Sequence, residues 1–182
     1  MFPAIIAFPA DWREPPAEIR KAVDEAAAEY DADGAFGLRE ILYGIGRRET
    51  QFTKLSVGKK HGENNATYAR SYAKHKDQKI PGSSTTWGEM FTAEQWRPYS
   101  FMQLNPYHLV GKGKPHKAGA DLTRLFEPKA AARAAAALLV YLHKKAKGDW
   151  TKAILLYNGD SSYRADVARN ILALREVNGV VG

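Results

Sequence analysis

The chain has 182 residues, 45% of them apolar and 26% charged, with no cysteine and a formal net charge of +7. That balance suits one soluble domain with a sizeable core and excludes a disordered chain, a disulfide framework and thiolate chemistry. No apolar run approaches the roughly 20 residues of a membrane-spanning helix, and a pI near 9.5 points to an anionic partner, whether nucleic acid, lipid headgroups or an acidic polymer.

Residues 1–16 are punctuated by proline, and "PADWREPP" predicts an extended arm ahead of a single domain over 17–182. The opening "MFPAIIAFPADW" is apolar but has no positively charged start and no small-residue cleavage site, so it is not expected to act as a secretory signal. From Ala17, the spacing of Ile19, Val23, Ala26 and Ala27 predicts a helix that "DADG" stops at 31–34.

A second helix is predicted over Phe36 to Glu49, with Leu38, Ile41, Leu42 and Ile45 on one face. The series Leu38, Leu42, Ile45 continues onto Glu49, which puts a carboxyl group at the edge of a buried stripe. Two readings stand side by side. Partial burial disfavours the ionised form and suits a general acid; a frayed helix end leaves a solvated charge paired with Arg47, Arg48 or Lys54.

Residues 53–99 are polar and basic, with Lys54, Lys59, Lys60, Arg70, Lys74, Lys76 and Lys79 interleaved with Tyr68, Tyr72, Trp87, Phe91, Trp96 and Tyr99. "NNATYARSYAKH" predicts a short helix with Tyr68 and Tyr72 stacked one turn apart, "KIPGSSTT" a loop, and Thr92 to Gln95 a capping box. Aromatic residues among cations suit a single-stranded nucleic-acid surface, a sugar-binding surface or an ordinary folded lobe.

Helices return in the second half. In "EPKAAARAAAALLVYLHKKAKG", Pro128 suits a first helical position, lysines fill the last turn and Gly148 is the stop; the alanines predict a central helix that its neighbours approach closely. A shorter helix is predicted from Trp150 to Tyr157, and Ser161 or Ser162 is expected to cap a last helix whose Val167, Ile171 and Leu174 face inward before Asn178-Gly179. The five histidines show no ligand spacing such as HExxH, so neither a metal nor a cofactor is expected.

Three separated pieces, "RRETQF" at 47–52, "YSFMQLNP" at 99–106 and "LLYNGD" at 155–160, stand in an order and helical context that resembles the lytic transglycosylase and goose-type lysozyme superfamily, whose members cut the glycan strands of peptidoglycan. The resemblance covers roughly residues 17–176. It implies a mainly α, lysozyme-like α+β fold, with the catalytic glutamate at a helix end and an irregular or β-containing lobe around 53–99. Glu49 matches the family's catalytic glutamate, Thr50 stands for its serine and Phe52 for its aromatic. Met102 and Gln103 match the Met-Gln pair lining the sugar subsites, and Tyr157 and Asn158 the Tyr-Asn pair facing the carboxyl group. Ser100 and Phe101 replace a Gly-Leu pair, Asp160 stands where a second glycine is usual, and the interval between Glu49 and Gln103 is longer than in compact members. The family's tyrosine near the start of the last helix corresponds to Tyr163 by type but to Asp166 by register.

By the same resemblance a single glutamate protonates the bond between N-acetylmuramic acid and N-acetylglucosamine and then, as base, helps form a 1,6-anhydro end. Its pKa is expected near about 6. A hydrolytic lysozyme is the alternative and needs a second carboxylate, for which Asp160, Glu63 and Glu89 are candidates. A non-catalytic virion structural or nucleic-acid-binding protein is a further one, with nucleic acid the less favoured partner. The expected partner is peptidoglycan, reached from a bacteriophage particle alongside other virion or tail proteins, or by release at lysis.

Overall fold

In the computed structural model, residues 6–31, 37–52 and 62–180 are described, except for the side chains of 62–65. Phe36, Lys54, Lys59, Lys60, residues 32–34 of "DADG" and the Glu63 side chain therefore lie outside the described residues.

The helices follow the apolar periodicity closely. They are α1 (Ala17–Tyr30), α2 (Leu38–Thr50), α3 (Gly62–His75), α4 (Trp87–Met90), α5 (Pro106–Leu109), a 3-10 turn (Leu122–Phe126), α6 (Pro128–Lys145), α7 (Trp150–Asn158) and α8 (Ser161–Val177). The fold is mainly α. Among the described residues the only β pairing is three isolated bridges, Lys79 with Thr86, Tyr99 with Leu104 and Val110 with His116. The lobe is therefore of the irregular kind, carried by α3 and α4. No described helix is long and apolar enough to cross a membrane.

α6 is the central helix. Ala131, Ala132, Ala134, Ala135 and Ala136 are buried along it, and their small side chains let α1 and α7 pack against its flanks. Pro128 occupies its first turn, and Gly148 beyond its end takes φ +86, the left-handed conformation that favours glycine.

α2 lies along α8, and two ion pairs clamp it near both ends. Near its start the buried Glu40 pairs with Arg175; near its finish Arg48 pairs with Asp166 at 2.8 Å. Between the clamps the helices approach closely, since a Cβ on Gly44 would meet Ile171 at 3.1 Å and the Val167 carbonyl at 3.3 Å. The Asn170 amide also donates to the Gly44 carbonyl at 3.0 Å.

The N-terminal arm is packed onto this pair. Ile6 and Trp12 are buried, the Phe8 ring meets Tyr43 at 5.2 Å, and Ala7 exchanges two 2.8 Å hydrogen bonds with Asn178.

The middle segment buries its aromatics. Trp87, Phe91, Trp96 and Tyr99 are all buried, so they are not displayed as platforms for nucleobases. Tyr68 and Tyr72 share α3 but do not stack on each other: Tyr72 packs against Trp96 at 5.9 Å, while Tyr68 borders a cavity. The reciprocal bonds predicted for Thr92 and Gln95 form, but they close a turn rather than open a helix. The capping box that does start a helix is Thr86 with Glu89, at α4. At α8 the cap is Asp160, not Ser161 or Ser162, because its carboxylate accepts from the Ser162 N–H at 2.8 Å.

Candidate active site

The end of α2 is made by an abrupt reversal. Gln51 and Phe52 both take positive φ, +51 and +59, although neither is glycine. Such a strained pair persists only where packing overdetermines it. Here the Phe52 ring is driven into the core, 6.3 Å from both Trp12 and Tyr43, and it lies so close to Gly46 that a Cβ there would meet it at 2.6 Å. Glu49 stands three residues before Phe52, in the last turn of α2.

Glu49 is partly buried, and burial pushes its carboxyl up to about 7; the Tyr163 hydroxyl, the Arg48 charge and the Asn158 amide oppose that rise without cancelling it. Arg47 and Arg48 are engaged elsewhere, Arg47 over the Trp12 ring at 5.7 Å and Arg48 with Asp166 and over the Tyr163 ring. Among the described residues no ion pair joins Glu49, and Lys54 lies outside them.

The second piece is a tight loop closed by Tyr99 and Leu104, which exchange backbone hydrogen bonds at 2.9 and 2.8 Å. Inside it Ser100 takes φ +67 and Gln103 φ +48. A glycine would adopt the first without strain, which gives the departure at Ser100 a physical meaning. The serine is held there because its hydroxyl accepts from the Met102 N–H at 3.3 Å and its carbonyl accepts from the Gln103 side chain at 2.7 Å. The loop is tied to both other pieces: the Thr50 hydroxyl donates to the Phe101 carbonyl at 3.0 Å, and the Tyr157 hydroxyl to the Met102 carbonyl at 2.8 Å.

The third piece is the end of α7, where Gly159 at φ +89 stops the helix and leaves Asn158 exposed. Tyr163, one turn into α8, is buried; its hydroxyl completes no hydrogen bond of good geometry, and the Glu49 carboxyl is the charge that most affects it, after burial itself. Asp166 is instead held between Arg48 and Arg169, at 2.8 and 3.1 Å. Of the two residues left open by the sequence, Tyr163 faces Glu49.

These three chain segments therefore meet. Beside them lies a cavity of about 180 Å³ bordered by Tyr68, Gln103, Asn105, His108, Tyr157 and Asn158, among others. Not every expected contact residue reaches it. Phe52, Ser100 and Met102 have fully buried side chains, and Thr50 has its hydroxyl committed to the loop. Tyr68, Asn105 and His108 also border the cavity and were not among the expected residues. The signal for Tyr68 was its place one turn before Tyr72 on the same helical face.

The rival acids are held in other work. Asp160 accepts the Ser162 and Tyr163 N–H groups, and Glu89 the N–H and the hydroxyl of Thr86, which keep both below the usual carboxylate range. Among the described residues no group of three or more His, Cys, Asp or Glu converges to hold a metal.

Residues 38–170 match the family model described as the transglycosylase SLT domain. That span is well over half of the chain, and the chain belongs to this family, whose activity is peptidoglycan cleavage of the lytic transglycosylase type. No curated protein and no solved structure matches it.

Proposed function

We propose, from that family membership, that the protein cleaves the β-1,4 bond between N-acetylmuramic acid and N-acetylglucosamine with Glu49 as its single acid and base, leaving a 1,6-anhydro end. The observation that carries the reading is a partly buried carboxyl group beside Tyr163 and Asn158, which burial pushes up to about 7.

At that pKa Glu49 is substantially protonated at neutral pH and donates to the bridging oxygen as the C1–O bond breaks. The substrate's 2-acetamido group supports the oxocarbenium-like centre. The resulting Glu49 carboxylate takes the proton of the C6 hydroxyl as its oxygen bonds to C1, which restores the acid. Asn158 and Tyr163 suit the carboxylate stage, since both favour the charged form. Tyr157 acts as a positioning residue by holding the Met102 carbonyl, and hence Gln103, against the end of α7. The net charge of +7 favours adhesion to anionic walls.

Direct hydrolysis would require a carboxylate to activate water, and both described candidates are engaged in helix caps. Mass spectrometry of fragments released from purified peptidoglycan tests this. Anhydro-muropeptides are expected, and reducing ends heavier by one water would overturn the transglycosylase assignment.

A further inference from the structure

Tyrosine hydroxyls near the site are mostly used internally. Tyr72 donates to the Phe91 carbonyl at 2.9 Å, Tyr99 to Gln95 at 2.9 Å and Tyr157 to Met102 at 2.8 Å. Tyr68 differs. It is partly exposed, its hydroxyl makes no hydrogen bond among the described residues, and it borders the cavity together with Gln103 and Asn158. Burial and the nearby Glu49 charge both push its phenol pKa up, so it remains a neutral donor.

Its support is rigid. On the same face of α3, one turn on, Tyr72 is bonded to Phe91 and packed on Trp96, and the Ser71 hydroxyl accepts from the Trp96 indole at 3.2 Å. The helix turn that follows Tyr68 is thus anchored, and Tyr68 borders the cavity from that support together with Gln103 and Leu104.

The cavity's chemistry indicates what Tyr68 meets. None of the residues around it is an acid, a lysine or an arginine, and burial with the Lys114 and Lys145 charges holds His108 toward its neutral form. A neutral lining of amides, a phenol and an imidazole suits a neutral sugar carrying an acetamido group better than a charged ligand.

We infer that Tyr68 is a substrate-contacting residue, its ring stacked on the pyranose face of the N-acetylated sugar in the cavity beside Glu49 and its hydroxyl donated to that sugar. This rests on the peptidoglycan-cleaving reading above.

The test compares the parent with Tyr68→Ala and Tyr68→Phe on soluble glycan strands prepared from peptidoglycan. Tyr68→Ala is expected to raise KM about tenfold with kcat changed by less than about threefold, and Tyr68→Phe, which keeps the ring, to raise KM about threefold. Thermal unfolding is expected to be the same for all three, since the residue is partly exposed. If the parent cleaves and Tyr68→Ala keeps the parent's KM, the inference about Tyr68 fails while the activity stands. A fall in kcat alone, or a loss of activity that follows a lower unfolding temperature and is equal in Tyr68→Phe, also overturns it. If the parent releases no glycan fragments, the underlying reading falls and the inference with it.

Discussion

The end of α2 and the cap of α8 each carry a carboxyl group, Glu49 and Asp160, and the two are held in opposite states. Asp160 sits at a helix N-terminus, accepts backbone N–H groups and is kept charged. Glu49 sits in the last turn of a helix, where burial raises it to about 7. The helix dipole favours negative charge at the first place and opposes it at the second. Identical functional groups therefore divide by environment into one that anchors structure and one that can carry a proton, which is the division a one-acid mechanism needs.

The largest effect expected is on Glu49→Gln, which should lower fragment release by about a thousandfold or more with the fold retained. It should also reveal a cost. Because the folded pKa of Glu49 is raised, the folded state binds the proton more tightly than the unfolded state, so parent stability falls as pH rises from about 4.5 to about 7. Above that window the variant should be the more stable by as much as about 3 kcal/mol, and below it the difference should vanish; denaturant unfolding at pH 4 and pH 8 checks this. Equal stability at both pH values would remove the contrast between the two acids.

Tyr163→Phe sharpens the comparison. It removes a group that favours the Glu49 carboxylate, so the alkaline limb of the kcat/KM profile should move to higher pH while the rate falls roughly tenfold. A shift toward acid would show that Tyr163 acts otherwise. Gly46→Ala tests the packing at the end of α2: crowding the fully buried Phe52 ring should cost about 1–3 kcal/mol in denaturant unfolding. The smallest effect is expected from Asp160→Asn, which keeps the cap and should leave the rate within about twofold. A collapse of activity there would make Asp160 the water-activating base and return the hydrolytic mechanism.

Sequence alone determined the helices, because their apolar spacing is a local property: Ile19, Val23 and Ala26 in α1, and Leu38, Leu42 and Ile45 in α2, all bury as their period requires. It also placed Glu49 at the edge of a buried stripe and marked the three motif segments. It did not determine which side chains meet the cleft. Phe52 and Ser100 stand in the motif segments but do not border the cavity, while Tyr68 read as part of a lobe and does. That Tyr163 rather than Asp166 lies toward Glu49 likewise depends on a distant partner, since Arg48 holds the aspartate. The physical reason is that burial, pKa and hydrogen-bond partnership are set by groups far away along the chain. The Glu49 carboxyl is buried where Asn158 of α7 and Tyr163 of α8 arrive beside it, and periodicity carries no record of such long-range contacts.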